Sequence, residues 1–220
     1  MTTEQIIDGS LEMLENVFLE EKLQSTISFV SLFVLVFESF KSMVIDKPKS
    51  FYCLPGMQMK NGEFVYQETE RYKEQVRKLA QKPLHASLKW FVQQGAIGKS
   101  DLERVIEIEL KRNYFVHELF NVIFYGITDA DKKLLTDLFS IYRKIDSWWI
   151  YNVEIDWDEI KDPDKIKMED CHSCAVTTIG NIVEILLEGK GDFYKKYCTQ
   201  IKEIMTKSGK NDAPNIHTIL

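Results

Sequence analysis

LQSTISFVSLFVLVFESFKSMVI, residues 23–45, contains the most apolar run of the chain. It has no glycine or proline, and its apolar side chains recur at helical spacing. Because they lie nearly all round the helix, we expect this helix at the centre of a helical bundle. The continuous apolar run, Phe29–Phe37, is followed by Glu38 and Lys41, well short of the roughly 20 residues that span a bilayer. The sequence therefore predicts a core helix and no membrane anchor.

The composition is typical of one globular and mainly helical protein. The chain has 220 residues, of which 45% are hydrophobic and 28% charged, with only five prolines. A chain of this length buries a sizeable core without disulfides or metals. Its formal net charge of -6 argues against non-specific coating of nucleic acid, which requires a basic surface. Any nucleic-acid function is therefore expected to be confined to a local site.

The four cysteines are expected to be reduced thiols of a cytoplasmic protein. The N-terminal residues are acidic and lack the basic start and apolar core of a secretion signal. Two cysteines stand in CHSC, residues 171–174, which has the spacing of half a zinc site. No second pair follows, and the helical surroundings lack the βαβ context of a redox motif. We therefore expect no metal and no other cofactor.

The chain is predicted to form a helical bundle, residues 1–152, and a C-terminal extension, residues 153–220. An insert at about residues 47–68 contains the turn pair Asn61-Gly62 between aromatic and β-branched residues, which predicts a small hairpin. A charged segment after residue 152 is typical of a surface linker. The extension is then expected to contain two helices packed on the bundle, at about residues 171–187 and 192–206.

Capping residues predict the boundaries of two further helices. A capping box that begins at Ser100 is expected to open a helix that runs to about Tyr125, where Gly126 ends it. Thr128 and Asp131 are expected to cap the next helix.

The helix that opens at Ser100 has a predicted solvent side and a predicted core side, at about 100° per residue. The charges on the solvent side are Glu103, Arg104, Glu107, Lys111 and Glu118. The apolar residues on the core side are Leu102, Val105, Ile106, Ile108, Phe115, Val116, Leu119 and Phe120. Glu109, Arg112 and Asn113 lie among these apolar residues, and His117 lies at their edge.

These polar residues require partners if they are buried. Burying a guanidinium and a carboxylate costs several kcal/mol per ion unless they are paired. Arg112 and Glu109 are three residues apart, so they are expected to pair with each other, with another chain, or to face a solvent-filled cleft. A buried Arg–Glu pair with a hydrogen-bonded Asn113 and a boundary His117 is also an ordinary structural feature. The pattern alone leaves both interpretations open.

The segment Arg112–His117, RNYFVH, resembles the R-N-x-x-x-H form of the motif that marks the HEPN superfamily of small helical bundles. The asparagine directly after the arginine, the long helix around them and the apolar residues between them all fit that motif. An upstream long helix with Glu38 at its end also fits. The family's bundle of four or five helices matches the order predicted from residue 21 to residue 152.

The resemblance implies a metal-independent endoribonuclease in which two copies of the motif meet across a homodimer or pseudo-dimer. His117 would act as general acid or base on the RNA 2′-hydroxyl or the leaving oxygen. Arg112 would hold the scissile phosphate and stabilise its developing charge. Asn113 would orient His117 or a phosphate oxygen. Glu109 would position Arg112, and Glu38 would correspond loosely to an acidic residue that some members carry on an earlier helix.

The resemblance also implies partners and a biological setting. The expected partners are RNA, a second copy of the chain, and an antitoxin or other regulatory protein, as in the toxin–antitoxin and antiphage systems that contain HEPN ribonucleases. The alternative is a non-catalytic HEPN-like interaction module that binds a partner protein or a nucleotide. In that module Arg112, Asn113 and His117 would serve the structure alone.

Overall fold

The computed structural model describes residues 3–53, 57–60, 63–66, 68–160, 162–188 and 199. Within them the elements are α1 (Thr3–Phe18), α2 (Glu20–Tyr52), β1 (Met57–Lys60), β2 (Glu63–Tyr66), α3 (Glu70–Gln75), α4 (Pro83–Gln93), α5 (Lys99–His117), α6 (Leu119–Tyr125), α7 (Asp129–Trp149) and α8 (Cys174–Glu188). Short 3-10 and π-helical turns lie between some of these helices. The predicted mainly α-helical bundle, with a hairpin insert and a C-terminal helical extension, is confirmed.

The chain divides into two compact units, residues 1–172 and 173–220. The first contains α1 to α7 and the hairpin, and the second contains α8. Of the second helix predicted for the extension, at residues 192–206, only Thr199 is among the described residues. The expected packing of the extension on the bundle stays a prediction.

α2 lies at the centre of the first unit, where it contacts α1, α3, α4, α5, α6 and α7. Its buried side supplies Phe33, Val36, Phe40 and Val44, none of which is exposed. Phe33 packs edge-on against Phe115 of α5, with ring centroids 5.0 Å apart. Full burial of each such side chain contributes about 1.5–3 kcal/mol relative to exposure. The central position predicted for this helix is therefore correct.

α2 is also long and apolar enough to cross a membrane, judged by length and composition alone. Of its most apolar window, 44% is buried inside the protein. The core helix of a globular bundle meets the same criterion, so this property does not distinguish the two locations. The cytoplasmic location and the absence of a membrane contact stay predictions.

The end of α2 differs from the expectation that the insert begins at about residue 47. The helix continues to Tyr52 with Pro48 buried inside its C-terminal turns, and the Cys53 N–H donates to the Lys49 carbonyl at 2.8 Å. A proline removes one backbone hydrogen bond from the helix. Burial of the Pro48 ring offsets part of that loss. The hairpin that follows is antiparallel, with Met57 opposite Tyr66. The residues predicted as its turn, 61 and 62, lie outside the described residues.

Three ion pairs join α5 to α7, and two of them use Arg104 and Lys111 from the side of α5 that was predicted to face solvent. They are Arg104–Asp137 at 2.6 Å, Lys111–Asp131 at 2.6 Å and Lys144–Asp101 at 3.1 Å. Asp131 is buried and also caps α7 by accepting from Thr128. Burial raises the pKa of Asp131, but the bonds from Lys111 and Thr128 outweigh burial and hold that pKa below its usual value. Part of the predicted solvent side therefore faces α7.

Several apolar residues of α5 and α6 that were predicted to face the core are exposed. The buried residues of α5 are Val105, Ile108 and Phe115. Four residues predicted on the core side are exposed, namely Ile106, Val116, Leu119 and Phe120. The prediction failed because apolar residues, including Leu110 and Tyr114, occur all round α5. Packing by α2 and α7, and not the periodicity alone, selects the buried sector.

The ends of α5 are only partly as predicted. Gly98, and not Ser100, is the N-cap, and its N–H donates to the Asp101 carboxylate at 3.0 Å. The helix ends at His117 because Glu118 leaves the helical conformation, with φ -117° and ψ 30°. No glycine or proline in the sequence requires this break. The later boundaries are confirmed, since Gly126 ends α6 with φ 73° and a capping box formed with Thr128 opens α7.

Candidate functional site

Arg112 lies on the face of α5 that packs against α2, and three neighbours hold its guanidinium. Its Nη2 lies 2.6 Å from Glu38 Oε1 on α2. Its Nη1 donates to Asn113 Oδ1 at 3.2 Å, and its Cζ lies 5.9 Å from the centroid of the Phe37 ring. The Arg112 side chain as a whole remains 23% exposed.

One donor of this guanidinium is unsatisfied within the part of the chain that the structure describes. Arg112 Nε is buried and makes no hydrogen bond to any described residue. Glu38 Oε1 lies at ion-pair distance from Arg112 Nη2, but the two atoms are not aligned for a hydrogen bond. A buried donor left unsatisfied costs about 1–3 kcal/mol, and such a group in a native protein needs an explanation.

The predicted pair between Arg112 and Glu109 does not form. Glu109 Oε2 lies 2.7 Å from His85 Nε2, and Oε1 lies 3.1 Å from Lys82 Nζ. Burial raises the pKa of Glu109, but the hydrogen bonds from His85 and Lys82 outweigh burial and hold that pKa below its usual value. Glu109 thus links α5 to the start of α4, and Glu38 is the carboxylate beside Arg112.

His117 is the last residue of α5 and is exposed. No side-chain hydrogen bond of His117 to another described residue is present. The helix ends directly after it, at Glu118. The imidazole is therefore accessible to a ligand or to a second chain.

Arg112 and His117 of one chain lie on different sides of α5. Five residues of helix separate them by about 7.5 Å along the axis and about 140° around it. Asn113 Oδ1 accepts from Arg112, and among the described residues Asn113 makes no hydrogen bond to His117. The structure thus brings Glu38, Arg112 and Asn113 together and leaves His117 apart from them.

The charges around Glu38 are balanced within a small surface cavity on α2. The cavity has a volume of about 270 Å³ and is lined by Glu38, Lys41, Ser42, Ile45 and Asp46. Lys41 Nζ lies 3.2 Å from Glu38 Oε2, so the two oxygens of Glu38 contact two cations. The spacing of three residues between Glu38 and Lys41 is the one sequence signal that pointed to this contact.

A strip of exposed apolar side chains leads to His117 along α5, and we call it the apolar strip. Its members are Ile106, Leu110 and Tyr114, which are 37%, 67% and 39% exposed. Spacings of four residues place them on one face of the helix, and His117 follows three residues after Tyr114. Phe120 of α6, 72% exposed, comes shortly after His117 in the chain. His117 is therefore flanked by apolar surface.

The CHSC segment does not gather metal ligands in the described part of the chain, where no group of three such side chains is found. Its His172 contacts Arg143 and Ser147 instead. Cys171 Sγ lies 3.4 Å from the Lys167 carbonyl oxygen, and burial raises the pKa of its thiol. A raised pKa reduces the thiolate fraction and therefore the reactivity of Cys171.

His85 is a partner of Glu109 that the sequence does not predict. His85 lies on α4 and Glu109 on α5, so their contact depends on how these helices pack. No local spacing in the sequence indicates it.

Comparison of the chain with protein-family models, with curated proteins and with solved structures finds no match. The resemblance to the HEPN superfamily therefore depends on residues 112–117 and on their helical setting.

Proposed function

We propose that the chain is a metal-independent endoribonuclease of the HEPN type that acts as a homodimer. The observation that carries this proposal is that Arg112 is held in place by its neighbours while its side chain stays partly exposed. Glu38, Asn113 and Phe37 fix its guanidinium, and the side chain remains 23% exposed. A permanent, forked cation held in this way is suited to binding a phosphate.

The chemistry follows from the residue types. The RNA 2′-oxygen attacks the adjacent phosphorus, the P–O5′ bond breaks, and the products are a 2′,3′-cyclic phosphate and a free 5′-hydroxyl. One group must accept the 2′-hydroxyl proton, and another must protonate the departing 5′-oxygen. His117 is the side chain of the motif that can do either near neutral pH. Arg112 stabilises the charge that develops on the phosphate oxygens.

A homodimer would supply both proton-transfer groups. A single chain offers one His117, whereas two copies facing each other offer two, one as base and one as acid. The apolar strip supports this arrangement, because Leu110 and Tyr114 expose apolar area beside His117. Burying that strip against a second copy removes it from water and brings the two imidazoles together.

The overall charge agrees with a local site. The chain is acidic, and Glu38 neutralises part of the charge of Arg112. RNA binding would therefore be weak away from the motif. We propose that an antitoxin or regulatory protein restrains the activity, as the family resemblance implies, and that the protein works in the cytoplasm.

The test is cleavage of a labelled RNA of mixed sequence in EDTA. We expect the parent to cut, and we expect Arg112→Ala and His117→Asn each to lose at least about 100-fold in rate, the scale of one acid–base or electrostatic group. Arg71→Ala, which removes an exposed arginine of α3, is the matched control and should cut as the parent does. Circular dichroism establishes that each variant is folded. Folded variants that cut at the parent's rate would refute the assignment.

The second candidate is a non-catalytic interaction module. It is favoured by the ion pair that already occupies Arg112 and by the apolar surface next to His117. It predicts no cleavage by the parent, together with loss of dimer or of stability in Arg112→Ala.

A further inference from the structure

A second cleft lies in the first unit, along α7 and the segment that follows it, and we call it the α7 cleft. It has a volume of about 460 Å³, which is within the usual range for small-molecule sites. Its walls include Phe139, Arg143, Lys144, Ser147, Met168 and His172. None of these residues belongs to the proposed ribonuclease site.

The arginine of the α7 cleft is held by an uncharged partner. Arg143 Nη2 and Nε lie 2.8 Å and 3.3 Å from the same atom, His172 Nε2. A guanidinium N–H can only donate, so Nε2 must carry a lone pair and the imidazole must be neutral. Its proton is then on Nδ1, which donates to Ser147 Oγ at 3.0 Å. Burial and the charge of Arg143 both lower the pKa of His172, which agrees with this assignment.

The positive charge of Arg143 is therefore not neutralised by this contact. No described carboxylate lies within ion-pair distance of Arg143, whereas the adjacent Lys144 pairs with Asp101 at 3.1 Å. Three carboxylates lie near the cleft. Glu169 lines it, with its Oε1 4.0 Å from Lys167 Nζ, and the charges of Asp146 and Asp170 act to raise the pKa of His172. His172 thus fixes the direction of the guanidinium without cancelling its charge. This is the arrangement that a binding site for an anion requires.

The apolar walls limit the kind of anion that fits. Phe139 and Met168 line the cleft together with Ala96. An aromatic or other flat apolar group is stabilised by contact with such side chains. Inorganic phosphate alone would leave these walls unused.

We propose that the α7 cleft binds a small organic anion, in which a phosphate or carboxylate group contacts Arg143 and a flat apolar body contacts Phe139 and Met168. The two candidate ligand classes share an anionic group attached to an aromatic ring system. A nucleoside monophosphate and an aromatic carboxylate are its two sources. The proposal does not depend on ribonuclease activity.

The test measures binding of AMP and of indole-3-acetate to the full chain by isothermal titration calorimetry. We expect at least one of them to bind with Kd below about 1 mM. Its neutral counterpart, adenosine or indole-3-ethanol, should bind at least about tenfold more weakly, because it lacks the group that contacts Arg143. The tighter binder shows which of the two sources, nucleoside monophosphate or aromatic carboxylate, fits the cleft better.

Three variants locate the bound ligand. Arg143→Ala should weaken binding at least tenfold, and Lys133→Ala, an exposed cation of α7 outside the cleft, should leave it unchanged. Arg112→Ala separates this site from the ribonuclease motif and should also leave binding unchanged. The proposal is overturned if neither anion binds with a Kd below about 1 mM, if the neutral counterparts bind equally well, if Arg143→Ala leaves binding unchanged, or if Arg112→Ala weakens it as much as Arg143→Ala does.

Discussion

Glu38 is the residue on which the position of Arg112 depends. One of its oxygens contacts Arg112 and the other contacts Lys41. The Glu38 side chain is 40% exposed, and ion pairs this accessible contribute only about 0–1 kcal/mol to stability. Its main effect is therefore to fix the direction of a cation, and that effect should be visible in catalysis more than in folding.

We expect Glu38→Gln to lower kcat about tenfold while reducing the free energy of unfolding by less than about 1 kcal/mol. The glutamine keeps the size of the side chain but not its charge, so Arg112 becomes free to move. Steady-state cleavage kinetics and urea unfolding measure the two effects. Glu21→Gln, on the exposed start of the same helix, is the control. A loss of stability with unchanged kcat would show that Glu38 is only structural.

Glu109 is expected to affect stability and not catalysis, because it contacts His85 and Lys82 and not Arg112. Its pKa is lowered in the folded protein. It therefore contributes stability above its unfolded pKa of about 4.3, and this contribution is lost as the pH falls through the folded pKa. Glu109→Gln should lower the unfolding free energy by roughly 1–3 kcal/mol at pH 7 and leave cleavage within about twofold of the parent.

The check on Glu109 is urea unfolding of the parent and of Glu109→Gln at several pH values. The difference between the two should shrink as the pH falls below about 4. Unfolding curves that stay equally far apart at every pH would contradict the assigned ion pairs.

Single residues also show where prediction from the sequence stops. The sequence indicated that Arg112 needs a carboxylate, and the neighbour at helical spacing was Glu109. The choice between Glu109 and Glu38 depends on how α2, α4 and α5 pack, which no local spacing encodes. The caps formed by Thr128 and Asp131 were predictable because both residues act within one turn.

At the scale of the elements, α6 is joined to α1 by a contact beside a glycine. Asn16 of α1 donates to the Phe124 carbonyl at 3.0 Å, and Gly126 ends α6 with φ 73° and ψ -177°. This conformation is almost restricted to glycine. A Cβ at residue 126 would lie 3.2 Å from Asn16 Nδ2. The junction therefore needs both the backbone freedom and the space that glycine gives.

We expect Gly126→Ala to reduce the free energy of unfolding by about 2–4 kcal/mol, from backbone strain and the contact with Asn16. Gly95→Ala is the matched control, since Gly95 also has a positive φ, 77°, but has nothing within 4 Å of an added Cβ. It should cost only about 1–2 kcal/mol. Thermal and urea unfolding measure both variants. Equal losses would mean that the contact with Asn16 contributes nothing.

The orientation of α5 is the element-scale feature that the sequence did not determine. Apolar residues occur all round this helix, so several sectors were equally suited to the core. Lys111 and Arg104 instead find acidic partners on α7, which turns the apolar strip outward. The central position of α2 was predictable because the apolar residues of its middle part lie nearly all round the helix.

At the scale of the whole molecule, the account requires two copies of the chain. Leu110 is the most exposed member of the apolar strip, at 67%. We expect Leu110→Glu to shift a dimer toward monomer, because it places a charge in the surface that the second copy would bury. Sedimentation analysis at about 10 μM protein measures the shift.

Ser100→Glu is the control for the dimer, since it adds the same charge to an exposed position at the start of α5. It should leave the dimer intact. If the Leu110→Glu dimer dissociates and the variant also cuts RNA more slowly, dimer formation is required for activity. A parent that is monomeric yet fully active would contradict the proposed division of proton transfer between two copies.

The central claim is that this chain cuts RNA by attack of the substrate's own 2′-hydroxyl without a metal. The most direct measurement is cleavage, in EDTA, of two RNAs that differ only by a 2′-deoxy nucleotide at the mapped cleavage position. The account predicts that the unmodified RNA is cut to a 2′,3′-cyclic phosphate and a 5′-hydroxyl, and that the modified RNA is not cut at that bond. Equal cleavage of both RNAs, or cleavage that EDTA abolishes, would contradict it.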